Sequence, residues 1–219
     1  MTTAFQKIAH RVKHQGIWET FRYLFGLCCK KCGIRINRIY QLPEQLCQNQ
    51  IEHDIQNKYG FLTFSRCNGM EDFSNEDVQT LREFDENWVN PNGFPKFFQN
   101  GMRCAIARID GKFGGICWYA QTTCPLLKNL RSECLIIREG STLPKFRGRG
   151  ILPGILNYLC FSIRQENADS TILIDVSVFN DSSIRGIEKA HFRQLGYWFS
   201  LPFYRRKFYW SRPKYDFHD

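Results

Sequence analysis

The chain has 219 residues, of which 43% are hydrophobic and 19 are Phe. That is enough apolar material for one core without disulfides or metal, and it excludes a largely disordered chain. The formal net charge of +9 is uneven: residues 1–40 carry Lys7, Arg11, Lys13, Arg22, Lys30, Lys31, Arg35 and Arg38 against one acid, Glu19. A field confined to one end points to a partner for the N-terminal segment rather than for the whole surface.

The first twenty residues hold charges throughout and no uninterrupted apolar run, so they do not read as a cleavable leader. The ten cysteines are unevenly spaced and sit in apolar surroundings, as at Cys104, Cys117, Cys134 and Cys160. They read as reduced thiols packed as small hydrophobes in a cytoplasmic protein.

In chain order, the segment to about Gln41 reads as helical, because Phe5, Ile8, Val12, Ile17, Phe21, Leu24 and Cys28 recur at three- and four-residue steps with basic residues between them. Gly16 and Gly33 interrupt or end these helices. The apolar stretch 21–29 is too short to span a bilayer. Leu42-Pro43 opens a polar connection. Residues 61–64 suit a strand. Ser74 with Asp77 is a capping pattern, followed by Val78, Leu81, Phe84 and Trp88 at helical spacing.

Asn90-Pro91-Asn92-Gly93 is a turn. Residues 102–109 and 112–119 form a hairpin about Asp110-Gly111, and 133–140 is a further strand. A helix is expected over 152–164, a buried strand over 171–178 and a helix over 182–195. An aromatic, strand-like run over 197–210 is broken by Pro202. The order is that of a mixed α/β arrangement around one sheet.

Between the strand at 133–140 and the helix at 152–164 lies Pro144-Lys145-Phe146-Arg147-Gly148-Arg149-Gly150-Ile151-Leu152. A strand ends, glycines permit close backbone approach, and a helix begins, so several N–H groups and a helix dipole aim at one point. That suits a pyrophosphate, with Arg147 and Arg149 adding charge at the mouth. No Gly-Lys-Ser/Thr closes the loop, which excludes a nucleoside-triphosphate loop. The dinucleotide fingerprint of three glycines is also absent.

Pro144-x-x-Arg147-Gly148-x-Gly150-Ile151 after a strand resembles the acetyl-CoA pyrophosphate loop of the GNAT acyltransferases. About thirty residues on, the run from Val176 through Asn180 to Phe192 is similar to that family's second signature, in which a strand ends at an Asn and a helix closes with Gly-Phe. Here Asn180 and Phe192 match and His191 stands where Gly is usual. The resemblance covers roughly residues 60–210. It implies a central, mostly antiparallel sheet splayed between two parallel strands, with helices on both faces. Residues 43–219 would form this domain, and 1–42 a basic amphipathic helical segment.

The resemblance also implies acyl-CoA as co-substrate and transfer of an acetyl or other acyl group to a primary amine. Backbone amides of Arg147, Gly148, Arg149, Gly150, Ile151 and Leu152 would hold the diphosphate. The pantetheine arm would run beside Ile137, Thr142 and Leu143, with Asn180 at its end and Ser183 as a further cofactor-binding residue. Leu152 replaces the usual small residue of the loop, which implies a wider last turn. Ile187 stands where many relatives carry a Tyr that protonates the departing thiolate, and Ile has no proton to give.

Acyl transfer to an amine needs a proton acceptor. Glu139, near the end of its strand, is the first candidate base and Glu133 the second; His191, Tyr197 and Tyr204 are further titratable or hydroxyl groups. Cys29, Cys32, Cys47 and His53 have spacing a zinc site could use, but no tight second pair, so no metal is expected.

The basic N-terminal stretch with Trp18, Phe21, Tyr23 and Phe25 fits an anionic membrane surface, or docking on another part of the protein, better than nucleic acid. The expected place is cytoplasmic, peripheral at the inner membrane surface. The acceptor is left open among small-molecule, saccharide and peptide amines. The competing reading is a catalytically weak or inactive GNAT-like module that binds CoA or a protein or membrane partner.

Overall fold

In the computed structural model, residues 17–46, 48–83, 91–122, 134–201 and 207–211 are described. Helix α1 (Ile17–Lys31) ends at Gly33, whose φ of 70° is the left-handed turn that glycine tolerates best. The amides of Cys32 and Ile34 donate to the carbonyls of Cys28 and Cys29 and close the helix. The helical reading up to Gln41 is therefore corrected: Arg35–Gln41 is strand β1. Its polar residues are interrupted by Ile36, Ile39 and Tyr40 without a strict period of two, and Ile39 and Tyr40 are buried.

Helix α2 (Gln48–Lys58), which the periodicity did not reveal, follows. Its apolar contacts are few, Ile51 and Ile55 with Tyr59 just beyond, and the rest is polar. Strand β2 is Leu62–Cys67 and helix α3 is Asn75–Glu83. The expected cap is reciprocal: the Asp77 amide donates to Ser74 Oγ at 3.1 Å and the Ser74 amide to Asp77 Oδ2 at 3.0 Å. Phe84 and Trp88, expected to continue this helix, lie outside the described residues.

A turn at Pro91–Gly93 leads into α4 (Phe94–Gln99), also unanticipated. The hairpin β3 (Arg103–Ile109) and β4 (Lys112–Thr122) turns at Asp110 and Gly111, with φ of 50° and 77°. Strand β5 (Cys134–Thr142), helix α5 (Ile151–Glu166) and strand β6 (Thr171–Ser177) come next.

Helix α6 (Asp181–Lys189) stops earlier than the periodicity suggested. The chain turns at His191, φ 68°, and enters β7 (Arg193–Ser200), so residues to 195 are not helical. Strand β8 is Lys207–Ser211, and Pro202 lies in a stretch outside the described residues.

The strands form one sheet in the order β2-β3-β4-β5-β6-β1-β7-β8. Every neighbouring pair is antiparallel except β5 and β6. Strand β1, from the basic N-terminal segment, sits between β6 and β7 and so belongs to the sheet's interior.

Alternation along the strands feeds two cores. Ala105, Ala107, Cys117, Tyr119, Ile137, Ile172 and Ile174 face α2, α5 and α6. Cys104, Ile106, Ile116 and Trp118 face α3 and α4, where Phe94, Phe97 and Phe98 surround the Trp118 ring at 4.8, 5.1 and 5.2 Å. Helices therefore cover both faces, as a sheet with two apolar faces requires. Five described cysteines beyond residue 60 are buried free thiols within this packing.

Candidate functional site

Strands β5 and β6 pair from Cys134↔Thr171 to Ile137↔Ile174 and then part. Beyond that rung β5 keeps its bonds to β4, up to Thr142↔Gly115, and β6 keeps its bonds to β1, up to Ser177↔Asn37. The sheet thus opens into a cleft between two strands that each retain one partner. An extended ligand can enter such a cleft as an added strand would.

At the open end lies a cavity of about 510 Å³. Its wall is built from β5 (Gly140, Ser141, Thr142), the loop and first turn of α5, and α6. Gly148 and Gly150 adopt φ of 80° and 77°, and Gly150 is the N-cap of α5. The amides that open a helix have no carbonyl four residues back, so those at the start of α5 are directed out of the helix end. A β-carbon on Gly148 would meet nothing within 4 Å, so the loop's outer side is open. Pro153 falls within the first turn, where its missing N–H is not needed.

The second helix start, α6, is capped by Asn180, whose Oδ1 accepts from the Ser183 amide at 3.1 Å. Two helix N-termini therefore border one cavity, and Arg147, Arg185 and Lys189 add cationic side chains to its lining. This is a donor-rich, positive setting for phosphate oxygens.

Of the residues anticipated for the cofactor, Thr142, Arg147, Gly148, Gly150, Ile151, Leu152, Asn180 and Ser183 line the cavity. Arg149 was expected to contribute its backbone amide; its side chain lies over the Phe146 ring, 5.7 Å from its centre. Ile137 forms the last rung before the split and is buried in one core; Leu143 is buried in the other. Leu152 fills a gap made by two glycines. Its side chain reaches 3.1 Å from where a β-carbon of Gly140 would stand and 3.0 Å from that of Gly186.

Arg185, Gly186 and Lys189 were missed. Their signal was the spacing of one α6 face counted from Ser182.

Glu139 is the extra residue of a bulge. Cys117 pairs with Gly140 and Trp118 with Arg138, so Glu139 has no partner on β4, and its φ is 47°. It is exposed at the split, next to Gly140 of the cavity wall. Its carboxyl is raised above the usual glutamate value, first by partial loss of hydration between the parted strands, an effect solvent weakens for a residue this exposed, and then by the charge of Asp175; Arg138 and Arg35 oppose this. A raised carboxyl accepts a proton more readily near neutral pH. Glu133 and Tyr204 lie outside the described residues.

His191 is used elsewhere. Its Nε2 donates to Asp54 Oδ2 at 2.9 Å and ties the end of α6 to α2. Tyr197 is half-buried on β7. Ile187 is buried in the core. Among the described residues no group of three or more His, Cys, Asp or Glu could hold a metal ion; Cys47 lies outside them.

No family model matches this sequence, and no curated protein matches it. Solved structures do. An aminoglycoside N-acetyltransferase, AAC(6')-Iy, in complex with CoA matches at a TM-score of 0.50 and 16% identity, over 66% of this chain and 94% of that one.

A protein from Novosphingobium aromaticivorans described as a GNAT-family acetyltransferase matches at 0.49 and 14%, over 76% of this chain. A GCN5-related N-acetyltransferase-like protein from Streptococcus suis matches at 0.49 and 12%, over 85% of this chain. The match spans 62% of the Novosphingobium protein, less than two thirds of its length. At these identities the likeness is one of fold, and the fold is GNAT-like.

Proposed function

We propose that this protein is an acyl-CoA-dependent N-acyltransferase, moving an acetyl or other acyl group from the CoA thioester to a primary amine. The observation that supports it is the positive cavity at the mouth of the β5/β6 split, bordered by two helix starts and by Arg147, Arg185 and Lys189. At Gly148 the cradle leaves open space where a side chain would stand, which suits a diphosphate. The cleft leading from it suits an extended arm ending near Glu139.

In the reaction the amine nitrogen bonds to the thioester carbonyl carbon, and the carbon–sulfur bond breaks. The nitrogen's proton passes to a base, and the departing thiolate is reprotonated from solvent. Glu139 is that base. Its place at the bulge and its raised carboxyl favour taking a proton from an ammonium. No acid is required of the chain for the leaving group, because a thiol of pKa about 8–9 leaves as a stable anion. The proposed acceptor is a small-molecule, saccharide or peptide amine.

Titration calorimetry with acetyl-CoA tests the reading: heat on binding, followed by thiol release when a panel of amines is added. Absence of binding would remove it. The burial of Ile187, where many relatives place a Tyr, favours a second reading: binding without turnover. In that case calorimetry shows CoA binding and no amine releases thiol.

The N-terminal segment carries its own proposal. On α1, Ile17 and Phe21 are 77% and 59% exposed, and Phe25 and Leu27 are also exposed. Among the described residues no helix is long and apolar enough to cross a membrane. An apolar stripe in a basic segment suits the surface of an anionic bilayer on the cytoplasmic side. Co-sedimentation with vesicles containing phosphatidylglycerol should fall in an Ile17→Ser/Phe21→Ser variant; equal binding removes the proposal.

A further inference from the structure

The split has a second acidic wall that the sequence did not reveal. Ile174 makes the last rung of β6 with β5, and Asp175 is the next residue along. On the facing strand, the bulged Glu139 comes two residues after Ile137, the partner of that rung. The two carboxylates therefore stand just past the point of parting, one on each side.

Asp175 is held from the far side of the sheet's second half. Asn37 Nδ2 donates to Asp175 Oδ2 at 3.0 Å, and Trp198 Nε1 donates to the same oxygen at 2.8 Å. Asn37 belongs to β1 and Trp198 to β7, and the two are cross-strand partners. Two donors on one oxygen fix the direction of the Asp175 carboxylate.

We propose that Asp175 is a positioning residue, which keeps a fixed negative charge opposite Glu139 and so strengthens Glu139 as a proton acceptor. This rests on the reading of Glu139 as the base. The charged and titratable groups about Glu139 are Asp175 on β6, Arg138 on its own strand, Arg35 on β1 and the buried Cys117 thiol on β4. Of these, Asp175 opposes the negative form of Glu139, and the two arginines favour it. Strand β1 therefore serves the site as well as the sheet, through the bond from Asn37 that anchors the opposing charge.

The test follows the Glu139 carboxyl directly. The full chain is labelled with ¹³C at glutamate side-chain carboxyls and titrated by NMR, and the Glu139 resonance is assigned by its loss in Glu139→Gln. In Asp175→Asn the midpoint should move to lower pH. The new amide keeps an oxygen that can accept from Trp198, and melting curves check the fold; Asp175→Ser serves if the first variant does not fold.

The acid limb of thiol release should move to lower pH in the same variant. It should vanish in Glu139→Gln. A midpoint unmoved by neutralising Asp175 overturns its role and leaves Glu139 as base. An acid limb that persists in Glu139→Gln overturns both.

Discussion

The Leu152 side chain occupies the space that a side chain on Gly186 would need, with its Cδ2 3.0 Å from the position of the missing β-carbon. Leu152 belongs to the first turn of α5 and Gly186 to the middle of α6, so the contact sets how closely two helix starts approach the same cavity. Gly186→Val should cost about 1–3 kcal/mol by overpacking. Adding Leu152→Ala to it should restore part of the loss, because the collision is then removed. Thermal melts of the two single variants and the double variant check this; strictly additive losses would contradict the contact.

Glu139→Gln should lower turnover about 100-fold or more, as loss of a general base does, with acetyl-CoA affinity unchanged. Its effect on stability has the opposite sign. The folded-state carboxyl is raised, so the stability this group contributes is complete below its unfolded value, about 4.3, and is lost as pH rises through the folded value. At neutral pH the ionised carboxylate is a net cost. The neutral variant should melt higher than wild type at pH 7, and the difference should close in acid. The strained φ is common to both side chains and cancels. Melting curves at pH 3 and pH 7 decide it.

Gly148 and Gly150 sit in the left-handed region, where a β-carbon costs about 1–2 kcal/mol. Gly150→Ala adds crowding, because Tyr59 Cε1 would lie 3.2 Å from the new carbon. Gly148→Ala meets no protein atom, so its cost is the backbone alone, while its methyl group projects into open space beside the cavity. Both should weaken CoA binding in calorimetry, and Gly150→Ala should lose more thermal stability.

Arg185→Gln and Lys189→Gln should each weaken CoA binding about tenfold, the scale of one hydrogen bond to a charged group, and leave melting temperature nearly unchanged. The loss should shrink as salt is raised, since the interaction is screened. Binding that is indifferent to both changes would remove α6 from the anion site.

Asp54 is 3% exposed on α2 and receives Lys58 Nζ and His191 Nε2, each at 2.9 Å. Burial raises its carboxyl, but the bonds from Lys58 and His191 outweigh this and hold it below the usual carboxylate range. A lowered carboxyl contributes stability above its unfolded value, about 3.9, and loses it as pH falls through the folded value. Asp54→Asn should therefore cost about 1–2 kcal/mol at pH 7, given that Lys58 is largely exposed. The gap to wild type should narrow below about pH 4. Denaturant midpoints against pH measure it.

The backbone of the loop at 147–152 was legible because its geometry is local. Glycines at 148 and 150, a proline in the first helical turn and a helix to follow are neighbours in the chain, and the backbone they dictate needs no distant partner. The hairpin at Asp110-Gly111 and the Ser74–Asp77 cap were legible for the same reason. Helix α2 was not, because its helicity depends on packing Ile51 and Ile55 beside α5 rather than on its own weak pattern. Nor was β1, which looked like a continuing helix: its partners, β6 and β7, lie more than 130 residues away.

What the residues alone determined is the order of elements from the hairpin at Asp110-Gly111 onward and the glycine-rich loop before α5, since each follows from spacing within a few positions. Only tertiary structure decided that β1 lies inside the sheet, that Leu152 nests against Gly186, and that Asp175, Asn37 and Trp198 gather at the split beside Glu139. Those relationships depend on strand register and on where two parallel strands part, and both are set by packing between segments far apart in the chain.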